Sequence, residues 1–543
     1  MRSLTFKWAL SQALILGASV LAQQQVFMPG IEFDHSAVHV EASTADHQLH
    51  VQRELARAWA QDKTVVLSHS DHPEVSLRIK QIGRKKHDWT ADAKLASYND
   101  SFCDPTVNSY SGYIDFIDGK SIFFYFFESR NDPAKDPLVA WTNGGPGASS
   151  AIGLFQENGP CRVKVVDGKS APGPMSNATT FNPHSWNAIA NTIFVDQPVG
   201  VGYSYSRYGV YSFSSEAAAV DMLAFIQLFL AAFPQYRKNE FYWSGESYGG
   251  KYLPSFGTAI VEHNTALKAK AARSGHKVDE NQLVNLNGIL IGNGWTSSSK
   301  QLPLYYDFLC TKKGGIDPFI SITECKRMQV WKKKCTPWLK ESCIDNWNPD
   351  ECATAQHTCT EEMMAAFVRT KRNVYNAMDI CARSEKGDCY EIDAAIQEFL
   401  NREEIREYLG AAPASEIGNY TESSKKVFKG FEYTEDEYVD SVAYVSGLLE
   451  RGIRVHAYAG SYDFICNWFG FKQIFWEMEW TSKDKLNAAK LSDWTVDGKR
   501  AGDTVTVDNF TWSTVAEAGH LVPYDQPERA LHLLKQWLKG ESL

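Results

Sequence analysis

The chain has 543 residues, 44% hydrophobic, 22% charged and 13% aromatic, enough apolar material for a large packed core in one elaborated domain or in two or three average ones. A net charge of −10 and a pI near 5.8 exclude the positive face that nucleic-acid binding needs, and suit a mildly acidic medium. Against that background Arg84-Lys85-Lys86 and Lys332-Lys333-Lys334 read as solvated surface.

Arg2 and Lys7 precede an apolar run from Trp8 to Leu21 that closes on Val20-Leu21-Ala22. A positive start, an apolar centre and modest residues before the break predict a secretory signal peptide over residues 1–22, cut after Ala22. The run is short for a bilayer span and no second one stands out, so no membrane span is expected in the mature protein. Export into an oxidising compartment, extracellular or vacuolar, gives the 11 cysteines a structural meaning. Those between Cys310 and Cys389 are dense enough to staple an insert, and the odd total leaves at least one thiol unpaired. Glycosylation sequons at Asn99, Asn177, Asn419 and Asn509 fit the same compartment.

Residues 23–95 are polar and His-rich, with helical periodicity around Leu49–Trp59 and little else, and predict a propeptide or N-terminal extension. The catalytic domain is expected over residues 96–543. Tyr110–Ile117 and Ile122–Glu128 alternate as an antiparallel edge pair would. Leu138–Trp141 reads as a buried strand running into Asn143-Gly144-Gly145-Pro146-Gly147, followed by a strand at Thr192–Asp196 and a helix at Ala217–Phe233. Phe241–Ser244 enters a Gly-rich turn, and Leu286–Ile291 and Val455–Ala459 are further short strands ending in Gly or Asn. Strands alternating with helices predict an α/β fold with a mostly parallel central sheet wrapped by helices. The charged, Cys-rich stretch at about residues 295–410 interrupts the pattern as a helical, disulfide-rich cap insertion.

Gly245-Glu246-Ser247-Tyr248-Gly249 is a G-x-S-x-G motif between a β-rich run and a helix-compatible stretch. A sharp strand-to-helix turn of this kind exposes the serine oxygen, and the amide after it points into the same space at a helix N-terminus. Gly245 to Lys251 also reads G-x-x-x-x-G-K, a phosphate loop, but Tyr252 stands where a Mg²⁺-binding Ser or Thr is required. A nucleophilic serine needs a base and an orienting acid. Asp463 and His520 follow in chain order, each in a loop after an apolar strand. Nothing in the sequence calls for a metal or a cofactor.

Trp141–Gly147, Gly245–Tyr252, Asp463-Phe464-Ile465-Cys466-Asn467-Trp468 and Gly519-His520-Leu521-Val522-Pro523 together resemble the serine carboxypeptidases, in particular the fungal vacuolar carboxypeptidase Y type. The likeness takes in Phe127–Arg130 and Asp196–Ser204 and runs from about Asp104 to the C-terminus. It implies an α/β-hydrolase fold and a serine exopeptidase, made as a zymogen, that removes C-terminal residues from peptides. It further implies Ser247, Asp463 and His520 as the triad, the Gly145 and Tyr248 amides as the oxyanion hole, and Asn143, Gly144, Glu157 and Glu246 as the binders of the substrate's free carboxylate. The spacing of that family suggests the pairs Cys310–Cys325, Cys335–Cys359, Cys343–Cys352 and Cys381–Cys389. Cys103 and Cys161 are left as a candidate fifth pair, and Cys466 would be the free thiol. Two departures stand out. Ala148 stands where many members carry a cysteine that bridges to the region near Ser423, which here also lacks one, and Gly249 replaces a frequent alanine.

Overall fold

The alternating and apolar runs assemble into one 14-stranded sheet in a computed structural model that describes residues 37–42, 48–69, 72–83, 102–173, 175–381 and 389–543. The signal segment 1–22 and the Asn99 sequon lie outside the described residues. In chain order the strands are β1 (Val38–Ala42), β2 (Val65–His69), β3 (His72–Gly83), β4 (Ser109–Phe116), β5 (Lys120–Phe127), β6 (Leu138–Thr142), β7 (Asn191–Val195), β8 (Phe241–Ser247), β9 (Leu286–Gly294), β10 (Arg454–Gly460), β11 (Ser492–Val496), β12 (Lys499–Val507) and β13 (Phe510–Val515). Their spatial order is β1-β2-β3-β4-β5-β7-β6-β8-β9-β10-β13-β12-β11, with Tyr205–Ser206 pairing beside β5.

The block β7-β6-β8-β9-β10-β13 is parallel throughout, and the wings are chiefly antiparallel. The sheet is therefore mixed, with the expected parallel arrangement confined to its centre. Both faces are buried, as a parallel core requires. Along β5, Ile122, Phe124 and Phe126 enter one hydrophobic cluster while Phe123, Tyr125 and Phe127 enter the other, the two-residue period of a strand sending alternate side chains to opposite faces.

The runs expected at Tyr110–Ile117 and Ile122–Glu128 do form an antiparallel pair, β4 with β5, but it is not at an edge. The segment before it, expected to hold a helix and little else, adds helix α1 (Gln48–Ala60) and the three strands β1 to β3. β3 pairs with β4 from Val75↔Phe116 to Gly83↔Ser109, and Val65, Leu67, Leu77 and Ile79 are fully buried. Arg78 makes a two-pronged contact with Asp115, and Trp59 packs between Tyr110 and Phe233. The strand signal in Val75–Ile79 alternates, but polar residues at Ser76, Arg78 and Lys80 mask it at the level of composition.

Helix α2 (Ser215–Ala232) begins where the Ser214 hydroxyl accepts the Ala217 amide and lies against α3 (Gly249–Ser274), which ends at Gly275 in the left-handed conformation. Among the described residues α2 alone is long and apolar enough to cross a membrane, and most of it is buried in the core. The stretch from 295 to 410 enters the sheet order between the neighbouring strands β9 and β10. It carries α4 (Ile322–Leu339) and α5 (Pro349–Val368), joined by Cys335–Cys359, and a hairpin of Arg372–Asn373 with Asn376–Ile380. Helix α6 (Pro527–Leu538) closes the chain.

Candidate active site

Strand β8 ends in Ser247, whose φ of +60° is a strained value for a residue with a side chain. Every residue from Phe241 to Gly250 is buried except Ser247. The turn that presents it depends on two glycines. A Cβ on Gly245 would lie 2.3 Å from the Thr142 carbonyl, and one on Gly144 would lie 2.3 Å from the Tyr248 nitrogen and 2.6 Å from the Ser247 Cβ. Tyr248 caps α3, so its amide sits at a helix N-terminus beside the serine. Gly145 lies in the loop after β6, the strand next to β8, and has φ +109°.

Asp463 and His520 leave the ends of β10 and β13, which pair directly. His520 Nδ1 and Asp463 Oδ2 are 2.8 Å apart and both side chains are buried. Asp463, Cys466 and His520 bring a carboxylate oxygen, a sulfur and a ring nitrogen within 4.8 Å of one another, and the Cys466 amide donates to Asp463 at 3.3 Å. Cys466 is free and buried, and burial pushes its thiol well above the usual range, so it is a weak nucleophile. The cysteines otherwise form Cys103–Cys161, Cys310–Cys325, Cys335–Cys359, Cys343–Cys352 and Cys381–Cys389. Ala148 and Ser423 face each other as an isolated antiparallel bridge, with Ser149 and Ser424 amides donating across it, so backbone bonds hold this contact.

A second cluster flanks Ser247 on the β6 side. Asn143 Oδ1 accepts from the Trp141 indole at 2.8 Å and the Gly153 amide at 3.0 Å. That fixes the amide's orientation, and its Nδ2 donates to Glu246 at 3.0 Å and to Glu157 at 3.1 Å. Glu157 ends a single π-helical turn, Gly153–Glu157, and Glu246 precedes Ser247. The two acids thus meet on one amide in a buried site, and each makes it harder for the other to ionise. Burial pushes Glu157 up to about 7, and burial together with the Glu157 charge pushes Glu246 well above the carboxylate range.

Several residues bear on this site without having been singled out from the sequence. Asn293 donates to Asp463, and the Trp295 amide donates to the Ser247 carbonyl at 2.7 Å. The Tyr375 carbonyl accepts the His520 amide at 2.7 Å, and the Tyr375 ring lies 5.2 Å from that of His520. Asp525 accepts the Gly519 amide at 2.6 Å. The one sequence signal was the Gly292-Asn293-Gly294 strand end. Of the sequon asparagines, Asn177 and Asn419 are exposed, whereas the Asn509 amide nitrogen already donates to the Leu449 and Ile453 carbonyls.

A family model described as serine carboxypeptidase matches residues 101–540. The chain belongs to the serine carboxypeptidase family. It is a serine-type carboxypeptidase by that membership, and strands β1 to β3 lie before the matched region. This carboxypeptidase is similar to carboxypeptidase Y of Komagataella phaffii, 36% identical over 436 residues, covering 80% of this chain and 76% of the relative. It is likewise 36% identical over 438 residues to the vacuolar serine-type carboxypeptidase ATG42 of Saccharomyces cerevisiae, covering 80% of each. Among solved structures it resembles KEX1(delta)p, a prohormone-processing carboxypeptidase from Saccharomyces cerevisiae, with a TM-score of 0.65 at 24% identity over 80% of this chain and 91% of that one, a likeness of fold.

Proposed function

We propose that this carboxypeptidase releases C-terminal residues at acid pH through an acyl-enzyme, with Ser247 as nucleophile, His520 as general base and Asp463 as the acid that orients it. Ser247 Oγ attacks the carbonyl of the last peptide bond as His520 takes its proton. The charge on the carbonyl oxygen is met by the Gly145 and Tyr248 amides. Collapse breaks the C–N bond, and His520 returns the proton to the departing amino acid. Water, deprotonated by His520, then releases the acyl group.

The observation that carries the reading of a C-terminal exopeptidase is the Asn143 amide fixed between Glu157 and Glu246 beside Ser247. An acid that keeps its proton can donate to a substrate carboxylate, and the Gly144 backbone lies against the same turn. Two ionised acids would repel that carboxylate, so binding is strongest below the range in which the pair loses its proton. An acidic compartment of the secretory pathway, vacuolar or extracellular, suits this device and the five disulfides. We read residues 23–95 as an N-terminal extension, or propeptide, with a structural part in the sheet.

Mass spectrometry of a peptide incubated with the protein at pH 5 tests the reading. A ladder shortened one residue at a time from a free C-terminus is expected, with much slower loss from an amide-blocked one. Internal cleavage, or equal rates on both, would refute it.

A further inference from the structure

Strands β10 and β13 deliver Asp463 and His520 into two loops that already hold each other. The Tyr462 amide donates to the Ala518 carbonyl at 2.7 Å, and the Ser461 amide to the Val515 carbonyl at 3.0 Å. Both loops also bond to a third segment, and that segment comes from the cap insertion. It is the hairpin of Arg372–Asn373 with Asn376–Ile380, closed by the two-residue loop Val374-Tyr375.

A hairpin loop this short leaves the carbonyls of its two central residues outside the strand ladder, free to accept from elsewhere. Both are used on the loops of the acid and the base. The Val374 carbonyl accepts the amides of Phe464 at 3.3 Å and Ile465 at 3.2 Å, and the Tyr375 carbonyl accepts the His520 amide at 2.7 Å. Ala377 donates its amide to the Tyr462 carbonyl at 2.8 Å, so both neighbours of Asp463 are bonded to the hairpin. The fit is close at Gly519, where a Cβ would lie 2.3 Å from the Tyr375 carbonyl oxygen and 2.9 Å from the Asn376 Cβ.

Two buried asparagines give this loop its shape. Asn373 Oδ1 accepts the Tyr375 amide at 2.9 Å, a side-chain turn that sets the direction of the peptides around Tyr375. Asn376 Oδ1 accepts the Met378 amide at 3.1 Å, and its Nδ2 donates to Asp525 Oδ2 at 3.3 Å. That same oxygen takes the Gly519 amide at 2.6 Å. The base of the hairpin is held by Arg372, which donates to the Ala377 carbonyl at 2.6 Å. Cys381 holds it too: its amide donates to the Lys371 carbonyl and its sulfur pairs with Cys389.

We infer that this hairpin is a strap that positions the acid and the base, with Asn373 and Asn376 as positioning residues for the proposed reaction. The inference rests on the reading of Ser247, Asp463 and His520 as the triad. Each asparagine acts through another residue. Asn373 acts through the Tyr375 carbonyl on the His520 amide, and Asn376 through Asp525 on the Gly519 amide. A base works only within hydrogen-bond reach of the proton it takes, so a small displacement of the His520 backbone costs turnover. The inserted stretch between β9 and β10 thus completes the arrangement that the sheet begins.

The test uses the full chain and compares Asn373→Ala, Asn376→Ala and Asn373→Asp, the last of which keeps an oxygen for the Tyr375 amide. On a free-acid peptide each alanine variant should lose about 10- to 100-fold in kcat, the size of a misplacement of up to about 1 Å. The rate at which a serine-directed fluorophosphonate labels Ser247 should fall in proportion, because that reagent needs the base but not the carboxylate site. Asn373→Asp should recover most of both. Hydrogen exchange separates positioning from loss of structure: in the alanine variants the His520 and Phe464 amides should exchange faster, with those of β8 and β9 as protected as in the wild type. A wild-type kcat and labelling rate in either alanine variant, no recovery in Asn373→Asp, or faster exchange throughout the sheet would each overturn the inference. If the wild type takes no label at Ser247, it is the triad reading that fails.

Discussion

Asn293 donates its side-chain N–H to Oδ2 of Asp463 at 2.8 Å, the same oxygen that faces His520 Nδ1. Asn293 Oδ1 accepts the Gly460 amide at 3.2 Å, so the orientation of its amide is fixed, and its φ of +42° is unusual for a side chain this buried. The residue thus ties the end of β9 to the end of β10 and anchors the carboxylate that faces His520. Strain at such a position is maintained because the surrounding bonds determine it.

Removing that donor leaves a buried carboxylate oxygen short of a partner, worth about 1–3 kcal/mol. Asn293→Ala should therefore lower kcat about 10- to 100-fold with KM little changed, since the substrate contacts are elsewhere. Steady-state kinetics on a free-acid peptide reads this, and an unchanged kcat would remove Asn293 from the account.

On the proposed reading, a proton retained by the buried pair Glu157 and Glu246 predicts a pH-dependent KM. As pH rises past about 7, where Glu157 loses its proton, and on toward the higher range of Glu246, negative charge builds up on the pair, repels the substrate carboxylate and raises KM, with kcat less affected. Glu246→Gln cannot lose a proton, so its KM should be flatter over the same range. The same group bears on stability. A carboxyl raised in the fold binds more protons than it does unfolded, so its contribution is full at acid pH and is lost as pH rises through the folded value. The melting temperature of Glu246→Gln should gain on the wild type between pH 5 and 8. Parallel curves in both measurements would show that Glu246 is not the proton-sharing group.

Cys466 lies buried against Ser247 and Asp463 with its thiol held protonated by burial. A soft organomercurial should inhibit by filling the space beside Ser247, whereas iodoacetamide, which needs a thiolate, should act slowly. Cys466→Ser should keep activity and resist the mercurial. Inhibition of that variant by the mercurial would place the reactive group elsewhere.

Strands β1 to β3 make the N-terminal segment part of the sheet. Deleting residues 37–83 would uncover β4 and the buried side chains of Val65, Leu67, Leu77 and Ile79, each worth about 1.5–3 kcal/mol. β3 stands five places from β8, roughly 24 Å at the usual strand spacing, so the segment is remote from Ser247. The deletion should lower thermal stability sharply, while the fraction that remains folded keeps its KM. An unchanged melting temperature would contradict this account.

Much of the site was legible because its chemistry is local. The turn around Ser247 needs glycines at fixed offsets, and each strand end carries its functional residue a few positions on. What was not legible depends on contacts between distant segments. Asn293 gains its role only when β9 and β10 become neighbours across an insert of more than a hundred residues. The strands before residue 84 were missed for a related reason: Ser76, Arg78 and Lys80 read as polar sequence until β4 supplies the partner that turns Val75, Leu77 and Ile79 inward. The antiparallel wings escaped because strand direction is set by pairing and not by composition.

The central claim is that Ser247 is the nucleophile, and covalent labelling tests it most directly. After treatment with a serine-directed fluorophosphonate, peptide mapping should find a single adduct on Ser247, in step with the loss of C-terminal hydrolysis. Ser247→Ala should stay folded, take no label and lose about 10⁶-fold in kcat. An adduct on another serine accompanying the loss of activity, or a folded Ser247→Ala that still shortens peptides at the wild-type rate, would contradict it.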